Sequence, residues 1–415
     1  MKVVLLNTSS RTGGAAVAAA RLLRALRKQG VSVQMCVLHK EREEDWIETV
    51  EKGRCSHLLN RIRFYWERAV IFLHNHFNRS QLFRVSIANT GTDISRLPCV
   101  READVIHLHW INQGFLSLND IKQLAALGKP IVWTMHDMWS YTGVCHYASD
   151  CQSFHQMCGS CFYLDSHADK DLSTQIYQKK QQIYKKADLS FVGCSNWIAA
   201  LAKKSGLLRG KRVVDIPNPI DTKLFRLSDK SKCRKDLSLP QDKRLILFGA
   251  LNVTDERKGV NYLLKALSLL KHPVELVVFG RVKSEIQELV PVPIHSLGYL
   301  SDEKKIVSLY NAVDLFVISS LDENLPNMVM EAMACGTPCV GFRTGGIPEM
   351  IDHLKNGYVA DHANEADLAK GIEWVLEHLD NKELTEACLA KVQSSYAEDV
   401  VAKRYMDLYD EISRH

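Results

Sequence analysis

The sequence predicts an α/β fold with two doubly wound, Rossmann-like domains. Short, near-continuous apolar runs alternate with helical patterns along the whole chain. Strands of this composition are buried on both faces, which is typical of parallel sheets covered by helices. A chain of 415 residues is too long for one ordinary core, and the pattern restarts near residue 243. Two domains are therefore expected.

The predicted strands share an apolar run that is bounded by turn-forming or charged residues. In the first half they are Val3–Leu6, Val33–Leu38, Val105–Leu108, Ile131–Met135, Leu189–Val192 and Val213–Ile216. In the second half they are Leu245–Phe248, Leu276–Phe279, Ile294–Leu297, Leu315–Ile318 and Cys339–Phe342. Helical patterns such as Ala16–Lys28 and Val260–Leu270 lie between the strands.

A turn-rich segment, Ile216–Asp221, predicts the linker between the two domains. We expect an N-terminal domain at 1–217 and a C-terminal domain at 218–397. An amphipathic helix at about 398–415 is expected to pack back on the N-terminal domain. Doubly wound domains bind ligands at the carboxyl ends of their strands, so the predicted ligand site is a cleft between the domains.

The composition indicates a soluble globular protein with reduced thiols. The net charge of +5 is mild and only weakly favours anionic ligands. No apolar run reaches the ~18 residues of a membrane span, and the N-terminus reads as a first strand rather than a signal peptide. Twelve cysteines spread over the chain suggest a reducing compartment. A cytoplasmic protein is therefore expected.

A basic and aromatic segment, residues 61–74, interrupts the alternation of strands and helices. Its spacing is helical, and it carries three arginines together with phenylalanine, tyrosine and tryptophan. One interpretation is a helix that rests on a membrane surface or docks a substrate, which would place the protein at the inner face of a membrane. The preferred interpretation is an ordinary helix packed on its domain.

The most informative feature is a pair of glutamates, Glu323 and Glu331, with seven residues between them. They follow a predicted strand and lead into a predicted helix. Pro326 suits the first position of that helix, and Asn324 or Asp322 would cap it. Carboxylates accept hydrogen bonds from sugar hydroxyls, and helix amides bind phosphate. The segment therefore suits a ligand that carries both hydroxyls and phosphates.

Two further loops follow predicted first strands. Gly13 and Gly14 precede a helix, where paired glycines let the backbone approach a ligand closely. Arg257 and Lys258 follow the first strand of the second domain, where either side chain could hold an anionic leaving group. The alternatives are a flexible turn at the glycines and a solvated charged turn at the basic pair.

Two histidines, His109 and His136, end neighbouring apolar strands. A single histidine is usually structural, but two at corresponding strand ends favour a role in the ligand site. Four cysteines, Cys145, Cys151, Cys158 and Cys161, have the spacing C-x5-C-x6-C-x2-C. Four thiolates could hold a structural zinc ion in a tetrahedron, and reduced thiols packed locally are the alternative.

Together these residues resemble the retaining glycosyltransferases of family 4, which have the GT-B architecture of two Rossmann-like domains facing a central cleft. The resemblance covers nearly the whole chain. The motifs that carry it are Gly13-Gly14, Ile216–Asp221, Arg257-Lys258-Gly259, the paired glutamates and Gly345–Glu349. The stretch from His107 to Cys161 resembles the subgroup that builds bacterial exopolysaccharide, capsule or related surface glycans.

The resemblance implies transfer of a hexosyl group from a nucleotide-diphosphate sugar to a glycan or lipid-linked glycan, with retention of anomeric configuration. By position, Glu323 would hold hydroxyls of the donor sugar, and Glu331 would hold the nucleotide ribose. Asn324 and Leu325 would offer backbone amides to the sugar or the β-phosphate, and Lys258 would grip the diphosphate. The family generally needs no catalytic metal, so no cofactor is expected for catalysis.

On the N-terminal side, the Gly14 amide would approach the donor phosphates and His136 would lie beside the sugar. The implied catalytic set is Glu323, His136 and Lys258. One departure concerns an arginine that many family members have soon after the first strand of the second domain. This chain has Gly249-Ala250-Leu251 there, and Arg257 is the candidate to supply the charge.

Two other functions stay open, namely a nucleotide-sugar 2-epimerase of similar shape and a non-catalytic protein that binds sugar nucleotides. A dinucleotide oxidoreductase is disfavoured because no G-x-G-x-x-G follows the first strand. Nucleic-acid binding is not expected, because outside residues 61–74 the basic residues form no stripe interleaved with stacking aromatics.

Overall fold

Contacts along the chain divide it into two units. Unit 1 consists of Met1–Asn218 with Val401–His415, and unit 2 is Pro219–Val400. The structure is a computed structural model that describes residues 1–51, 53–165, 168–252, 256–281 and 289–414.

Each unit is built on one parallel sheet. The strands of unit 1 are β1 (Lys2–Ser9), β2 (Ser32–His39), β3 (Ile47–Thr49), β4 (Val105–Leu108), β5 (Ile131–Met135), β6 (Leu189–Gly193) and β7 (Arg212–Asp215). The strands of unit 2 are β8 (Leu245–Asn252), β9 (Glu275–Arg281), β10 (Ile294–Ser296), β11 (Leu315–Ile318), β12 (Cys339–Phe342) and β13 (Gly357–Ala360). Within the described ranges the orders are β3-β2-β1-β4-β5-β6-β7 and β10-β9-β8-β11-β12-β13. Both orders reverse at the first strand of the unit, which confirms the predicted doubly wound architecture.

Helices connect and cover these strands. Those before residue 219 are α1 (Gly14–Lys28), α2 (Arg54–His74), α3 (Pro98–Arg101), α4 (Leu118–Ala125), α5 (Leu172–Lys186) and α6 (Asn196–Lys204). Those after it are α7 (Lys230–Asp236), α8 (Val260–Ser268), α9 (Glu303–Ala312), α10 (Asn327–Ala334), α11 (Ile347–Met350), α12 (Glu365–Glu377), α13 (Lys382–Ser395) and α14 (Glu398–Ile412). Within the described part of the chain, none of the helices has the length and apolar character needed to cross a membrane.

The sheet of unit 1 is buried on both faces, because successive residues of its strands enter two different cores. Val3 and Leu5 of β1 pack into one core, together with α1 and α14. Val4 and Leu6 pack into the other. All four side chains are at most 2% exposed. Burial on both faces explains why these strands show no alternation of polar and apolar residues.

Helix α14 closes one face of unit 1 and places two tyrosines against a histidine. The Tyr409 hydroxyl lies 2.6 Å from Nδ1 of His107, and Thr134 Oγ1 lies 2.8 Å from His107 Nε2. The Tyr405 hydroxyl lies 2.8 Å from the same threonine oxygen. Burial lowers the pKa of His107 to about 3, so its ring stays neutral and links the helix to the sheet. His107 therefore has a structural role.

Two strands, β3 and β13, are missing from the sequence prediction. Strand β3 has only three residues, and β13 reads Gly-Tyr-Val-Ala, in which glycine and alanine weaken the strand pattern. Pairing with a neighbouring strand, rather than composition, defines these strands. For example, Gly357–Ala360 aligns residue by residue with Cys339–Phe342 of β12.

Candidate functional site

Three loops of unit 2 lie at the carboxyl ends of its central strands and are joined by backbone hydrogen bonds. They are the basic loop (256–259), the glutamate loop (319–326) and the glycine loop (343–346). The Leu321 N–H donates to the Arg257 carbonyl at 2.7 Å, and the Gly346 N–H donates to the Asn324 carbonyl at 2.7 Å. Because β8, β11 and β12 are neighbours in a parallel sheet, these bonds hold all three loops at one edge.

Glycine is required at two points where these loops approach each other closely. Gly259 has φ 61°, and a Cβ atom there would lie 2.0 Å from the Ser319 carbonyl oxygen. Gly345 has φ 54°, and a Cβ atom there would lie 1.6 Å from the Glu323 carbonyl oxygen. Any side chain at either position would force the loops apart.

Two of the three predicted donor-binding charges of these loops, Lys258 and Glu323, form an ion pair. Lys258 Nζ lies 2.7 Å from Glu323 Oε2, with the side chains 32% and 17% exposed. The Ser319 hydroxyl donates to the Lys258 carbonyl at 2.9 Å, which fixes the backbone beneath the lysine. A partly exposed ion pair contributes about 1 kcal/mol or less, so a ligand's charge can replace either partner at low cost.

Glu331 has a different environment from Glu323. It lies on α10, is only 8% exposed, and its Oε2 accepts a 2.9 Å hydrogen bond from the hydroxyl of Tyr310 on α9. Its carboxylate is therefore held in place by a buried partner. Tyr310 was not found from the sequence, since nothing in the sequence links it to the glutamate 21 positions later.

The start of α10 differs from the prediction. The helix begins at Asn327, and Pro326 is the residue before it, with φ −69° and ψ 116°. The extended ψ angle of Pro326 keeps it outside the helix. The prediction that Pro326 is the first helical residue was therefore wrong, and the residue at the cap position is Pro326 rather than Asn324 or Asp322. The glutamate loop still enters α10 directly, as predicted.

The side chains of Asn324 and Leu325 are buried, at 2% and 6% exposure. Both residues are predicted to bind the donor through their backbone amides. Because the leucine side chain is buried, Leu325 can contact a polar ligand only through its backbone. The Asn324 carbonyl already accepts the bond from Gly346. Arg257 is half-buried, and its carbonyl accepts the bond from Leu321.

In unit 1, the predicted glycine turn directly precedes α1. Gly13 is the residue before the helix and has φ 96°, a conformation that favours glycine. No described atom lies within 4 Å of the position that its Cβ would occupy. The first turn of α1, which starts at Gly14, contains no acidic residue. The first turn of α1 therefore adds no negative charge of its own at the positive end of the helix dipole.

Glu41, which was not found from the sequence, holds the loop before this turn. Its carboxylate accepts hydrogen bonds from the Thr12 N–H at 3.0 Å and the Thr12 hydroxyl at 2.6 Å, and it also contacts the Ser9 hydroxyl. Burial raises the pKa of Glu41, but the bonds from Ser9 and Thr12 outweigh it and the net effect is a lowered pKa. The carboxylate therefore stays ionised.

The two predicted histidines of unit 1 contact each other. His109 Nδ1 lies 3.0 Å from His136 Nε2, and their rings stack at 5.3 Å. Burial lowers the pKa of His136 to about 4 and that of His109 well below its usual value. Both rings are therefore neutral near pH 7. His109 Nε2 is buried and has no hydrogen-bond partner among the described residues.

A second polar network follows His136 directly. Asp137 Oδ2 accepts hydrogen bonds from Trp110 Nε1 at 2.9 Å and from His146 Nδ1 at 2.7 Å. His146 Nε2 lies 3.0 Å from the Ser86 hydroxyl. This network was not predicted, although it fixes the backbone next to His136.

In this structure the sulfur atoms of the four predicted metal-binding cysteines are not gathered into a metal site. Among the described residues, the one group of three histidine, cysteine, aspartate or glutamate side chains with ligand atoms within 4.8 Å of one another is His272, Glu373 and Glu377. Burial raises the pKa of Cys158 to about 11 and that of Cys161 to about 12, so both thiols stay protonated near pH 7. A metal at the four cysteines stays a prediction.

Two family models match the chain. The model for glycosyltransferase family 4 matches residues 12–224, which is more than half of the chain. The model for glycosyl transferases group 1 matches residues 229–389. The second match contains the three loops of unit 2, and the first contains the glycine turn and the histidines.

Proteins with similar sequences are named as glycosyltransferases. WcaC of Escherichia coli K12, named as a colanic acid biosynthesis glycosyl transferase, is 24% identical over 85% of this chain and 85% of its own. A Campylobacter jejuni protein is 30% identical over 38% of this chain and 43% of its own. It is named as an alpha-1,3-N-acetylgalactosaminyltransferase of N,N'-diacetylbacillosaminyl-diphospho-undecaprenol.

The fold also matches solved structures. HepE from Anabaena, solved in complex with UDP, has a TM-score of 0.66 and 16% identity, with 99% of this chain and 100% of the other covered. This likeness shows the fold, and it confirms the GT-B architecture of two Rossmann-like domains. The family models and the relatives confirm the resemblance found in the sequence and indicate a transferase. The chain belongs to glycosyltransferase family 4.

Proposed function

We propose that the protein transfers a hexosyl group from a nucleotide-diphosphate sugar to a glycan or lipid-linked glycan in surface polysaccharide biosynthesis. The observation that carries the proposal is the Lys258–Glu323 ion pair, held on loops that glycine contacts lock together. The UDP bound by HepE supports the donor class. The names of WcaC and of the Campylobacter relative support the acceptor class.

Donor binding would exchange the partners of the ion pair. The diphosphate would take Lys258, and the sugar hydroxyls would donate hydrogen bonds to the released carboxylate of Glu323. Because the ion pair contributes little, the exchange costs little. Glu331, oriented by Tyr310, would hold the ribose, and Arg257 would add a second positive charge.

Cleavage of the bond between the sugar and the diphosphate leaves negative charge on the departing phosphate oxygen. Lys258, Arg257 and the amides at the start of α10 would stabilise that charge. The acceptor hydroxyl would attack from the face that the leaving group departs from, and its proton would pass to the departing oxygen. This route retains the anomeric configuration and needs no protein nucleophile.

From unit 1, the Gly13-Gly14 turn would offer amides to the donor phosphates, and His136 would lie beside the sugar. A neutral His136 can donate or accept a hydrogen bond but supplies no charge. We further propose a cytoplasmic protein in peripheral contact with the inner face of a membrane, where lipid-linked acceptors lie. No metal is required by this chemistry.

Replacing Glu323 by glutamine should lower donor turnover about 100-fold while the fold survives, because the amide loses the negative charge that orients Lys258 and the sugar. A thermal-shift screen of nucleotide sugars would identify the donor for the assay. Glu365→Gln is the matched control, since Glu365 forms a 3.4 Å pair with Lys265 in the same unit but outside the three loops. It should keep wild-type turnover.

Near-normal turnover of the Glu323→Gln variant would contradict the role of Glu323. Release of free nucleotide without any acceptor-linked product from the wild-type protein would instead favour a 2-epimerase or a hydrolase.

The stereochemistry has its own test. An α-linked donor should give an α-linked product, because attack and departure use the same face of the sugar. The anomeric proton coupling in an NMR spectrum of the purified product measures this directly. A β-linked product would refute the retaining mechanism.

We also propose that the four cysteines bind a structural zinc ion after their thiols deprotonate and their sulfur atoms draw together. Metal analysis of protein purified without added metal should then find about one equivalent of zinc. Replacement of Cys158 and Cys161 by serine should remove it, whereas Cys55→Ser, at an exposed cysteine outside the cluster, should not. Less than about one tenth of an equivalent in the wild-type protein would contradict the proposal.

A further inference from the structure

Helix α2 turns an apolar face toward solvent. The side chains of this face are between 55% and 59% exposed, and they are Leu58, Ile62, Tyr65, Trp66 and Leu73. Spacings of three, four, seven and eight residues place them on one side of the helix. We call these five residues the α2 face. Phe77, which is 66% exposed, extends the apolar surface through ring contact with Phe72.

The buried side of α2 is mostly polar, since three of its four buried residues are polar or charged, whereas an ordinary surface helix buries an apolar stripe. Glu67 is 1% exposed, and its Oε1 accepts hydrogen bonds from the N–H groups of Ile87 and Ala88, both at 2.8 Å. Arg68 pairs with Glu67 at 2.7 Å and donates to the Val85 carbonyl at 3.0 Å. These buried charged contacts fix the rotation of the helix, so the apolar face is held outward.

The exposed apolar residues of the chain are concentrated here. Eight of the sixteen large apolar side chains that are exposed in the described ranges lie between Leu58 and Phe83. Single exposed apolar residues are normal on a protein surface, but a contiguous patch indicates an interaction site. This concentration of exposed apolar side chains therefore indicates an interaction site at the α2 face.

The charge around the α2 face is positive. The segment Arg54–Arg84 contains six arginines and one acidic residue, and that residue is the buried Glu67. Arg54, Arg61 and Arg79 are exposed. The charged side chains that α2 presents to solvent therefore attract an anionic surface and have no carboxylate to repel it.

We propose that the α2 face docks on an anionic lipid bilayer and inserts into its headgroup region. Leucine and isoleucine would enter the acyl boundary, and tyrosine and tryptophan would sit where one end of the ring is apolar and the other hydrated. The arginines would contact lipid phosphates. This proposal rests on the proposed function, since a lipid-linked acceptor lies in such a surface, and it names the part of the chain that reaches the surface.

Vesicle flotation of the full-length protein tests the proposal without donor or acceptor, so failure of the proposed catalysis would not affect the result. The probes are vesicles of phosphatidylglycerol with phosphatidylethanolamine and vesicles of phosphatidylcholine alone. The wild-type protein should float with the anionic vesicles, bind the neutral ones less, and bind less at high salt. The variant Ile62→Ser/Tyr65→Ser/Trp66→Ser should bind about tenfold less.

The matched control is Leu269→Ser/Tyr299→Ser/Leu354→Ser, which removes three exposed apolar side chains of unit 2, each at least half exposed. It should float like the wild type. The proposal is overturned if the wild type does not float, if the α2 variant floats as well as the wild type, or if the control loses binding equally. A dimer that forms without lipid and is lost in the α2 variant, with no flotation, would assign the face to a second copy of the chain instead.

Discussion

The approach of Gly345 to the Glu323 carbonyl constrains the candidate donor site more than any other contact. A side chain at this glycine would collide with the backbone that carries the glutamate. The same loop is tied by the Gly346 N–H to Asn324 and by the Leu321 N–H to Arg257. Backbone bonds of this kind pre-organise the site, so the carboxylate and the lysine are positioned before any ligand arrives.

Sequence patterns were sufficient to predict strands where burial on both faces restricts the residue type. The runs Val105–Leu108 and Leu315–Ile318 were predicted to the residue, since strands buried on both faces admit little but apolar side chains. Strand β13 was missed because its place in the sheet comes from pairing with β12 rather than from its own composition. The paired glutamates were recognised from their motif, and their positions on a loop and a helix agree with the prediction.

The polar partners of these residues could not be predicted, because they depend on contacts between distant segments. Tyr310 beside Glu331 and Glu41 beneath the glycine turn are examples. Helix α2 shows the same limit. Its helical periodicity was predicted correctly, and it packs on its unit, but not through the apolar stripe of the ordinary helix that was the preferred interpretation. The hydrogen bonds of Glu67 and Arg68 to residues 85–88 determine which side of the helix is buried. These bonds leave the apolar side exposed.

Binding of a nucleotide-diphosphate donor by the locked loops of unit 2 is the proposal on which the roles of Lys258, Glu323 and Glu331 depend. A crystal structure of the protein with a bound nucleoside diphosphate tests it most directly. We expect ribose hydroxyls within hydrogen-bond distance of the Glu331 carboxylate, and Lys258 Nζ shifted from Glu323 to a phosphate oxygen. A nucleotide bound elsewhere, with the Lys258–Glu323 pair still at 2.7 Å, would contradict it.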